Sequence, residues 1–360
     1  EQFMYRCLEL ARRGQPQPTP YVGAVLVHKG NIVAEGYHKR AGQAHAEVEC
    51  FKDFKKKGLI GKINPRELTL YCNLEPCCHV GSTPPCTDAI LTFGLQHVVY
   101  GMRDHAPVVS GKGARILKKT GLRVEQGVLR KECERINEQW ITFHEEKRPF
   151  ITLRTATTLD GKMALSNKVS KWITSKEERD FTRALRAHHQ AILVGINTVL
   201  ADNPHLGVRQ RGKHDPTRII LDSRLQIPPR AEVLRDSNVI LATTSRASNK
   251  KIALLERRGI TVWICKQKEG HISLKDLVRK MQRANIISVY IEGGRTVVSS
   301  FLEQGLRDKM YWAIAPKIIG DESALSAVVG RSITRMQDII TLKNISYHHV
   351  GSDIILEGYF

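Results

Sequence analysis

Short apolar runs that suit a strand alternate with longer amphipathic runs that suit a helix, and no other feature of this chain narrows its fold as much. In the first part, "VGAVLV" from Val22 and "NIVAEGY" from Asn31 read as strands, and "HAEVECFKDFKKKG" from His45 reads as a helix. "LTLYCNLE" from Leu68 is a strand, and "PPCTDAILTFG" from Pro84 is a helix that Gly94 stops. "HVVYGM", "GARILKKTG" and "LRVEQGVL" continue as strand, helix and strand, and "RKECERINEQWITFHEEK" from Arg130 reads as one long helix. The period of the apolar positions separates the two kinds of segment. Their alternation implies an α/β fold, with sheets covered by helices on both faces. The opening "EQFMYRCLELARRG" puts Phe3, Cys7, Leu8, Leu10 and Ala11 on one side of a helical wheel, which predicts a structural first helix rather than a signal peptide.

With 360 residues the chain exceeds what one hydrophobic core usually sustains, so two domains are expected. The charged bridge "HEEKRPF" from His144 ends at a proline, and strand-like "ITLRTATT" follows it directly. The boundary is therefore predicted at 146/147, giving domains over 1–146 and 147–360. The second part alternates again, with buried-type strands "AILVG", "RIILD", "NVILATT", "TVWIC" and "SVYIE" between helical segments. It closes with "MYWAIAPKIIG" and "DIILEGYF" as strands that lack a helix between every pair.

The longest apolar runs fall far short of the ~20 residues that span a bilayer, so no membrane partner is expected. Eight cysteines without a secretory segment argue for a reducing, cytoplasmic setting, where clustered Cys and His serve metals or catalysis more often than disulfides. The formal charge of +20 suits a nucleic acid, a phosphorylated small molecule or mere solubility, and does not choose among them. Its one dense run, "KDFKKKG" from Lys52, reads as the solvated face of a helix.

The chemistry concentrates in two stretches, "AGQAHAEVEC" and "NLEPCCHVGSTPPC". His45, Cys77 and Cys86 supply one imidazole and two thiolates, the three-ligand pattern of a catalytic zinc whose fourth position holds water. Glu47 follows His45 in the His-x-Glu spacing of the zinc-dependent nucleobase deaminases, where the carboxylate moves protons and is not a ligand. Those enzymes place two residues between the cysteines, whereas eight separate Cys77 from Cys86. Cys78 and Cys72 are read as pocket or core thiols, since adjacent side chains at 77 and 78 point in different directions. In the second half, "SVYIEGGRTVVSSFLEQG" reads as strand, Gly-Gly turn and helix, so that Gly293 and Gly294 bring backbone amides close to a phosphate at a helix N-terminus. There is no GxGxxG.

"HAEVECF", "LEPCCHVGSTPPC", "TTLDGKMA", "SKWIT", "AILVGINTVLADNP" and "VYIEGG" occur in the order found in the RibD family, and the chain resembles that family over nearly its whole length, long cysteine spacer included. The resemblance implies an N-terminal cytidine-deaminase-like domain and a C-terminal dihydrofolate-reductase-like domain, serving riboflavin biosynthesis. It implies zinc-dependent deamination of 2,5-diamino-6-(5-phosphoribosylamino)pyrimidin-4(3H)-one, then NADPH-dependent reduction of the ribosyl group to ribityl. It places substrate near His38, His79, Asp104, Ser170, Arg186, Leu206, Arg209 and Glu292. The cofactor falls to Arg154, Trp172, Thr174, Gly195, Thr198, Asp202, Ser223, Thr244, Glu292, Gly293 and Gly294. The expected partner is a small phosphoribosyl-pyrimidine, with no nucleic acid, and a homo-oligomer is expected.

Several positions depart from the family pattern. Thr19 and Ala106 stand where Asn is usual, Cys78 where Ser is usual, Ser82 where Lys or Arg is usual, and Val80 follows His79. His105 sits in "DHAP" where "DPNP" is usual, and Arg154 replaces a Lys. Intact hydrolytic machinery with lowered substrate affinity is the expectation, and the reductase is expected to be less affected. Two other readings compete: a divergent deaminase-reductase that takes a related pyrimidine or works mainly through its reductase half, and a nucleic-acid base deaminase suggested by the charge. The reductase-like second half and the long cysteine spacer count against the latter.

Overall fold

The computed structural model describes every residue except Ser82 and Arg331. The chain forms two compact units, Glu1–Lys147 and Arg148–Phe360.

The first unit runs α1 (Gln2–Ala11), β1 (Gly23–His28), β2 (Asn31–Tyr37), α2 (Ala46–Lys56), β3 (Leu68–Leu74), α3 (Cys86–Phe93), β4 (His97–Met102), α4 (Lys112–Lys119), β5 (Arg123–Gln126), α5 (Arg130–Ile136) and α6 (Glu138–Glu145). Its five strands lie in the order β2-β1-β3-β4-β5. β1 is antiparallel to both β2 and β3, while β3, β4 and β5 are parallel. Leu26, Leu70 and Val98 pack with Met4, Leu8, Cys50 and Phe54 of the helices. Close packing sets the position of α2. A Cβ on Gly36 would come within 2.4 Å of the Ala46 carbonyl oxygen and 2.2 Å of the Cys50 nitrogen. Only a glycine lets β2 lie against the start of that helix.

The long helix expected from Arg130 is instead two helices that break at Asn137, whose φ is −110°. Asn137 is buried, its Oδ1 accepts the Tyr21 N–H at 2.8 Å, and its Nδ2 donates to the Tyr21 carbonyl at 3.0 Å. A side chain bonding distant backbone overrides a helical period that the flanking residues satisfy.

The second unit runs β6 (Phe150–Thr158), β7 (Lys162–Ala164), α7 (Lys176–Arg186), β8 (Ala191–Gly195), α8 (Ile196–Asp202), β9 (Thr217–Leu221), β10 (Val239–Thr243), α9 (Asn249–Arg257), β11 (Thr261–Ile264), β12 (Gln267–Lys268), β13 (His271–Ile272), α10 (Leu274–Arg283), β14 (Ser288–Ile291), α11 (Arg295–Glu303), β15 (Lys309–Ala315), β16 (Leu325–Ser326), β17 (Lys343–Val350) and β18 (Asp353–Tyr359). Nine strands form one sheet in the order β11-β10-β9-β8-β14-β6-β15-β18-β17. Neighbours from β11 to β15 are parallel, and β18 is antiparallel to both β15 and β17. Successive residues face opposite sides of this sheet. Leu193 and Ile219 enter one core with Leu277 and Phe301, while Ile192 and Ile220 enter another with Leu241 and Leu255. Strands buried on both faces therefore read as unbroken apolar runs.

The two ends of the sheet differ from the sequence reading. "TVWIC" forms the edge strand β11, where Thr261 and Ile264 are exposed, so it is not a buried strand. β17, "KNISYHHV", has no counterpart in that reading, because an edge strand with one solvated face carries too few apolar residues to stand out. Among the described residues no helix is long and apolar enough to cross a membrane.

Candidate active sites of the two units

Two helix starts bring the sulfur and imidazole groups together. His45 is the N-cap of α2 in extended conformation, and Glu47 lies in the first turn behind it. Pro84 and Pro85 end the preceding loop, and Cys86 opens α3. His45 Nδ1 lies 3.2 Å from Cys86 Sγ and 3.4 Å from Cys77 Sγ, and the Cys86 N–H donates to Cys77 Sγ at 3.3 Å. The three donor atoms all lie within 4.8 Å of one another. Tetrahedral zinc with ordinary Zn–N and Zn–S bonds sets such donors roughly 3.5 Å apart, so this set fits that metal. His45 Nε2 is 3.2 Å from the Thr83 hydroxyl, which fixes the ring with Nδ1 facing the thiols. Thr83 was missed from sequence, although its place in "STPPC", directly before the prolines, was the available signal.

The electrostatics suit a cation. Hydrogen bonding from the Cys86 thiol, joined by the His45 imidazole, lowers the Cys77 thiol to about 4. Cys86 is pushed up, first by its bond to the Cys77 sulfur and then by burial, so one negative charge is shared between the two thiols. Glu47 is 3% exposed, and burial raises its carboxyl above the usual range. Cys78 turns away, its Sγ 3.9 Å from the Val108 carbonyl, and Cys72 is buried in the sheet core. A groove of about 600 Å³ opens beside His45 between Val48, Thr83, Pro84, Pro85 and Phe93.

The residues carried over as substrate contacts are held from within. His38 is buried, with Nδ1 3.1 Å from the Ala44 carbonyl and Nε2 2.9 Å from the Thr19 hydroxyl. Asp104 is also buried, and its Oδ1 accepts from the Ala106 N–H at 2.8 Å and from the Trp140 indole at 3.0 Å. Burial raises the Asp104 carboxyl. His105 pairs with Glu145 at 2.7 Å. His79 and Val80 are exposed, and Ser82 lies outside the described residues.

In the second unit the carried-over residues gather where the parallel strands end, the edge at which open α/β sheets receive ligands. Gly195 ends β8, Ser223 and Thr244 follow β9 and β10, and Glu292 to Gly294 link β14 to α11. The Thr244 hydroxyl donates to the Ser223 carbonyl at 2.8 Å. A Cβ on Gly293 would meet Val297 Cβ at 2.8 Å, and one on Gly195 would meet Val297 Cγ2 at 2.9 Å. Both glycines thus admit the first turn of α11 against the sheet edge. Thr198 Oγ1 would be 3.6 Å from a Cβ on Gly294, so α8 borders the same turn.

Two of the cationic groups expected to grip ligand, Arg186 and Arg154, have partners inside the protein. Arg186 Nε and Nη2 donate to Glu292 Oε1 and Oε2 at 2.8 and 2.7 Å, and Nη1 donates to the Gly207 carbonyl. Arg154 Nη2 donates to Glu178 Oε1 at 2.7 Å. Asp202 pairs with Lys171 at 3.2 Å, and Trp172 is exposed beneath the Arg179 guanidinium at 4.2 Å. Leu206 is buried and Arg209 exposed, both at positive φ, and Ser170 is half-buried. Glu178 and Trp140, missed from sequence, reveal themselves only through these contacts.

Residues 149–356 match the family model for the RibD C-terminal domain, and residues 1–102 match the zinc-binding region of cytidine and deoxycytidylate deaminases. The riboflavin biosynthesis protein RibD of Aquifex aeolicus is 39% identical, covering 98% of this chain and 96% of that protein. RibD of Bacillus amyloliquefaciens is 37% identical, covering 99% and 95%. Among solved structures, Acinetobacter baumannii RibD superposes with a TM-score of 0.89 at 32% identity, covering 99% of this chain and 98% of that one. The Thermotoga maritima diaminohydroxyphosphoribosylaminopyrimidine deaminase/5-amino-6-(5-phosphoribosylamino)uracil reductase gives 0.87 at 35% identity, covering 99% and 97%.

Proposed function

The chain belongs to the RibD family of riboflavin biosynthesis proteins, and from that premise we propose which of its residues carry each half of the work. It is a bifunctional enzyme with a zinc-dependent deaminase domain and an NADPH-dependent reductase domain. We take the deaminase substrate to be 2,5-diamino-6-(5-phosphoribosylamino)pyrimidin-4(3H)-one. Its ribosyl group is then reduced to ribityl.

In the first unit His45 Nδ1, Cys77 and Cys86 would hold the zinc. When bound, zinc supplies a Lewis acid that makes its water acidic near neutral pH. Glu47 takes a proton at a carboxylate oxygen and hands it to the amine nitrogen that leaves the pyrimidine ring as ammonia. Burial serves this role, because a raised carboxyl binds the proton long enough to deliver it. His38, His79 and Asp104 border the pyrimidine. The observation that carries the reading is the convergence of His45, Cys77 and Cys86 with Glu47 buried beside them.

In the second unit Gly293 and Gly294 lead into the N-terminus of α11, a place that favours phosphate. Trp172, Thr174, Gly195, Thr198, Asp202, Ser223, Thr244 and Glu292 receive the rest of the cofactor. Ser170, Arg186, Leu206, Arg209 and Glu292 receive the phosphoribosyl chain. We place the protein in the cytoplasm, where its eight free cysteines stay reduced. We also take it to be a homo-oligomer, which light scattering tests directly.

Turnover of the diaminopyrimidine with and without NADPH tests the whole assignment. Ammonia release without NADPH, followed by NADPH oxidation once the deaminated product has formed, is the expected result.

A further inference from the structure

Glu178 stands outside every residue set carried over above, yet its side chain is only 1% exposed. It sits in the first turn of α7, where Ser175 Oγ accepts its backbone N–H at 3.1 Å and caps the helix. The carboxylate turns inward and is fully engaged. Oε1 accepts from Arg154 Nη2 at 2.7 Å and from the Thr182 hydroxyl at 2.6 Å, and Oε2 accepts from the Thr174 hydroxyl at 2.8 Å. Arg154 Nε is buried without a hydrogen bond, and among the described residues Glu178 is the only acceptor bonded to that guanidinium. Glu292 acts on Arg154 through space and is itself clasped by Arg186, so Glu178, Arg154, Glu292 and Arg186 alternate in sign from α7 to the sheet edge.

The segment before α7 is held from two sides. Outside, Arg179 Nη1 donates to the Thr174 carbonyl at 2.7 Å, and Lys317 Nζ donates to the Trp172 carbonyl at 2.9 Å. Inside, the Thr174 side chain is held by Glu178. The exposed Lys317 ammonium is screened by water and Arg179 is half-buried, whereas a buried carboxylate accepting from a guanidinium and two hydroxyls keeps its full directional effect.

We propose that Glu178 is a positioning residue of the reductase half: it holds the Thr174 hydroxyl and neutralises Arg154, and so keeps the segment from Trp172 to Thr174 in the geometry that receives the dinucleotide. Arg154 is then an internal strut and not a ligand contact. The proposal rests on reading Trp172 and Thr174 as cofactor residues.

The test uses the full-length chain and four variants: Glu178→Gln, Thr174→Ala, the two combined, and Glu178→Asp. NADPH oxidation is followed with the deaminated substrate in excess. Each of the first two single changes should raise the KM for NADPH roughly tenfold, the effect of losing one charge-assisted hydrogen bond, with kcat held within about threefold. Because the Thr174 contact is one of the bonds Glu178→Gln already disrupts, the combined variant should be no worse than the more damaging single one. Glu178→Asp, which keeps the charge, should recover part of the loss. Deamination should be unchanged in all four. If Glu178→Gln does not fold, the charge-free pair Arg154→Met with Glu178→Leu replaces it and should show the same rise in KM. An unchanged KM with only a lower melting temperature, or effects that multiply to roughly a hundredfold in the combined variant, would overturn the proposal and leave Glu178 a packing element. If the unaltered chain oxidises no NADPH, the reductase reading fails and takes the proposal with it. If it does and the variants behave additively, only the proposal falls.

Discussion

The two units treat their buried ionisable groups in opposite ways. In the first, an imidazole and two thiols face one point, and the strongest electrostatic effect among them is competition for a single negative charge between Cys77 and Cys86. In the second, the guanidiniums of Arg154 and Arg186 meet the carboxylates of Glu178 and Glu292. Converging imidazole and thiolate donors gain stability from a bound cation. Paired opposites are complete within the protein and respond to whatever breaks the pair. The first arrangement is suited to a bound cation, while the second sets the geometry of the side chains that would meet the reductase ligands.

The sharpest way to separate the units is through Glu47. Glu47→Gln should keep its zinc, as elemental analysis would show, yet slow deamination by ~10²- to 10⁴-fold, the usual effect of removing a general acid or base. Reduction of the already deaminated product should continue. Loss of both activities together would mean that the units do not work as separate sites.

Breaking a pair in the second unit should appear as lost stability. Arg186→Met leaves Glu292 as a buried carboxylate without its partner, which typically costs about 3–5 kcal/mol. Denaturant unfolding should show that loss in the second unit, while zinc content stays at about one per chain. A change below about 1 kcal/mol would place the pair among weakly coupled surface contacts.

A titration reads the same contrast more gently. His189 is buried, and desolvation lowers its imidazole to about 3. Its ring bonds the Leu185 carbonyl through Nδ1 at 2.9 Å and Thr152 Oγ1 through Nε2 at 2.8 Å, a neutral arrangement. The unfolded chain binds a proton there near pH 6.5 and the folded chain does not until about 3. Stability of the second unit is therefore full above pH 6.5 and falls as pH drops towards 3, by up to about 1.4 kcal/mol per unit. His189→Gln should flatten this slope in melts between pH 7 and 5.

The smallest expected effect concerns recognition in the first unit. Thr19 engages His38, and Ala106 offers Asp104 only a backbone N–H, so the two side chains leave few polar groups for substrate. The parent KM for the diaminopyrimidine should be high. Thr19→Asn combined with Ala106→Asn should lower it by roughly 2- to 10-fold, in line with a net recovery of about 0.5–1.5 kcal/mol. A parent KM already in the low micromolar range and unmoved by these changes would show that other groups have taken over the contacts.

Much of the architecture could be read from local pattern, and the failures have physical causes. Strands such as "AILVG" and "RIILD" stand out because both their faces are buried. β17 does not, since only one of its faces meets the core, and the helix break at Asn137 depends on Tyr21, 116 positions away. The candidate deaminase cluster was legible because residue type and order carry its chemistry: a histidine two before a glutamate, and a proline before each of Cys77 and Cys86. Thr83 was overlooked, because a hydroxyl that orients a ring carries no signature of its own.

By itself, the sequence determined the alternating α/β plan and pointed to two units and to His45, Cys77 and Cys86 as candidate metal donors, because periodicity and residue chemistry act over short stretches. Only the tertiary structure decided where the cations of the second unit go. Arg154 finds Glu178 across 24 positions and Arg186 finds Glu292 across 106, and neither distance leaves a trace in local pattern. A guanidinium near a ligand edge reads the same in sequence whether it faces a phosphate or a buried carboxylate. The choice belongs to the low-dielectric interior, where leaving either charge unpaired costs several kcal/mol and the nearest opposite charge prevails.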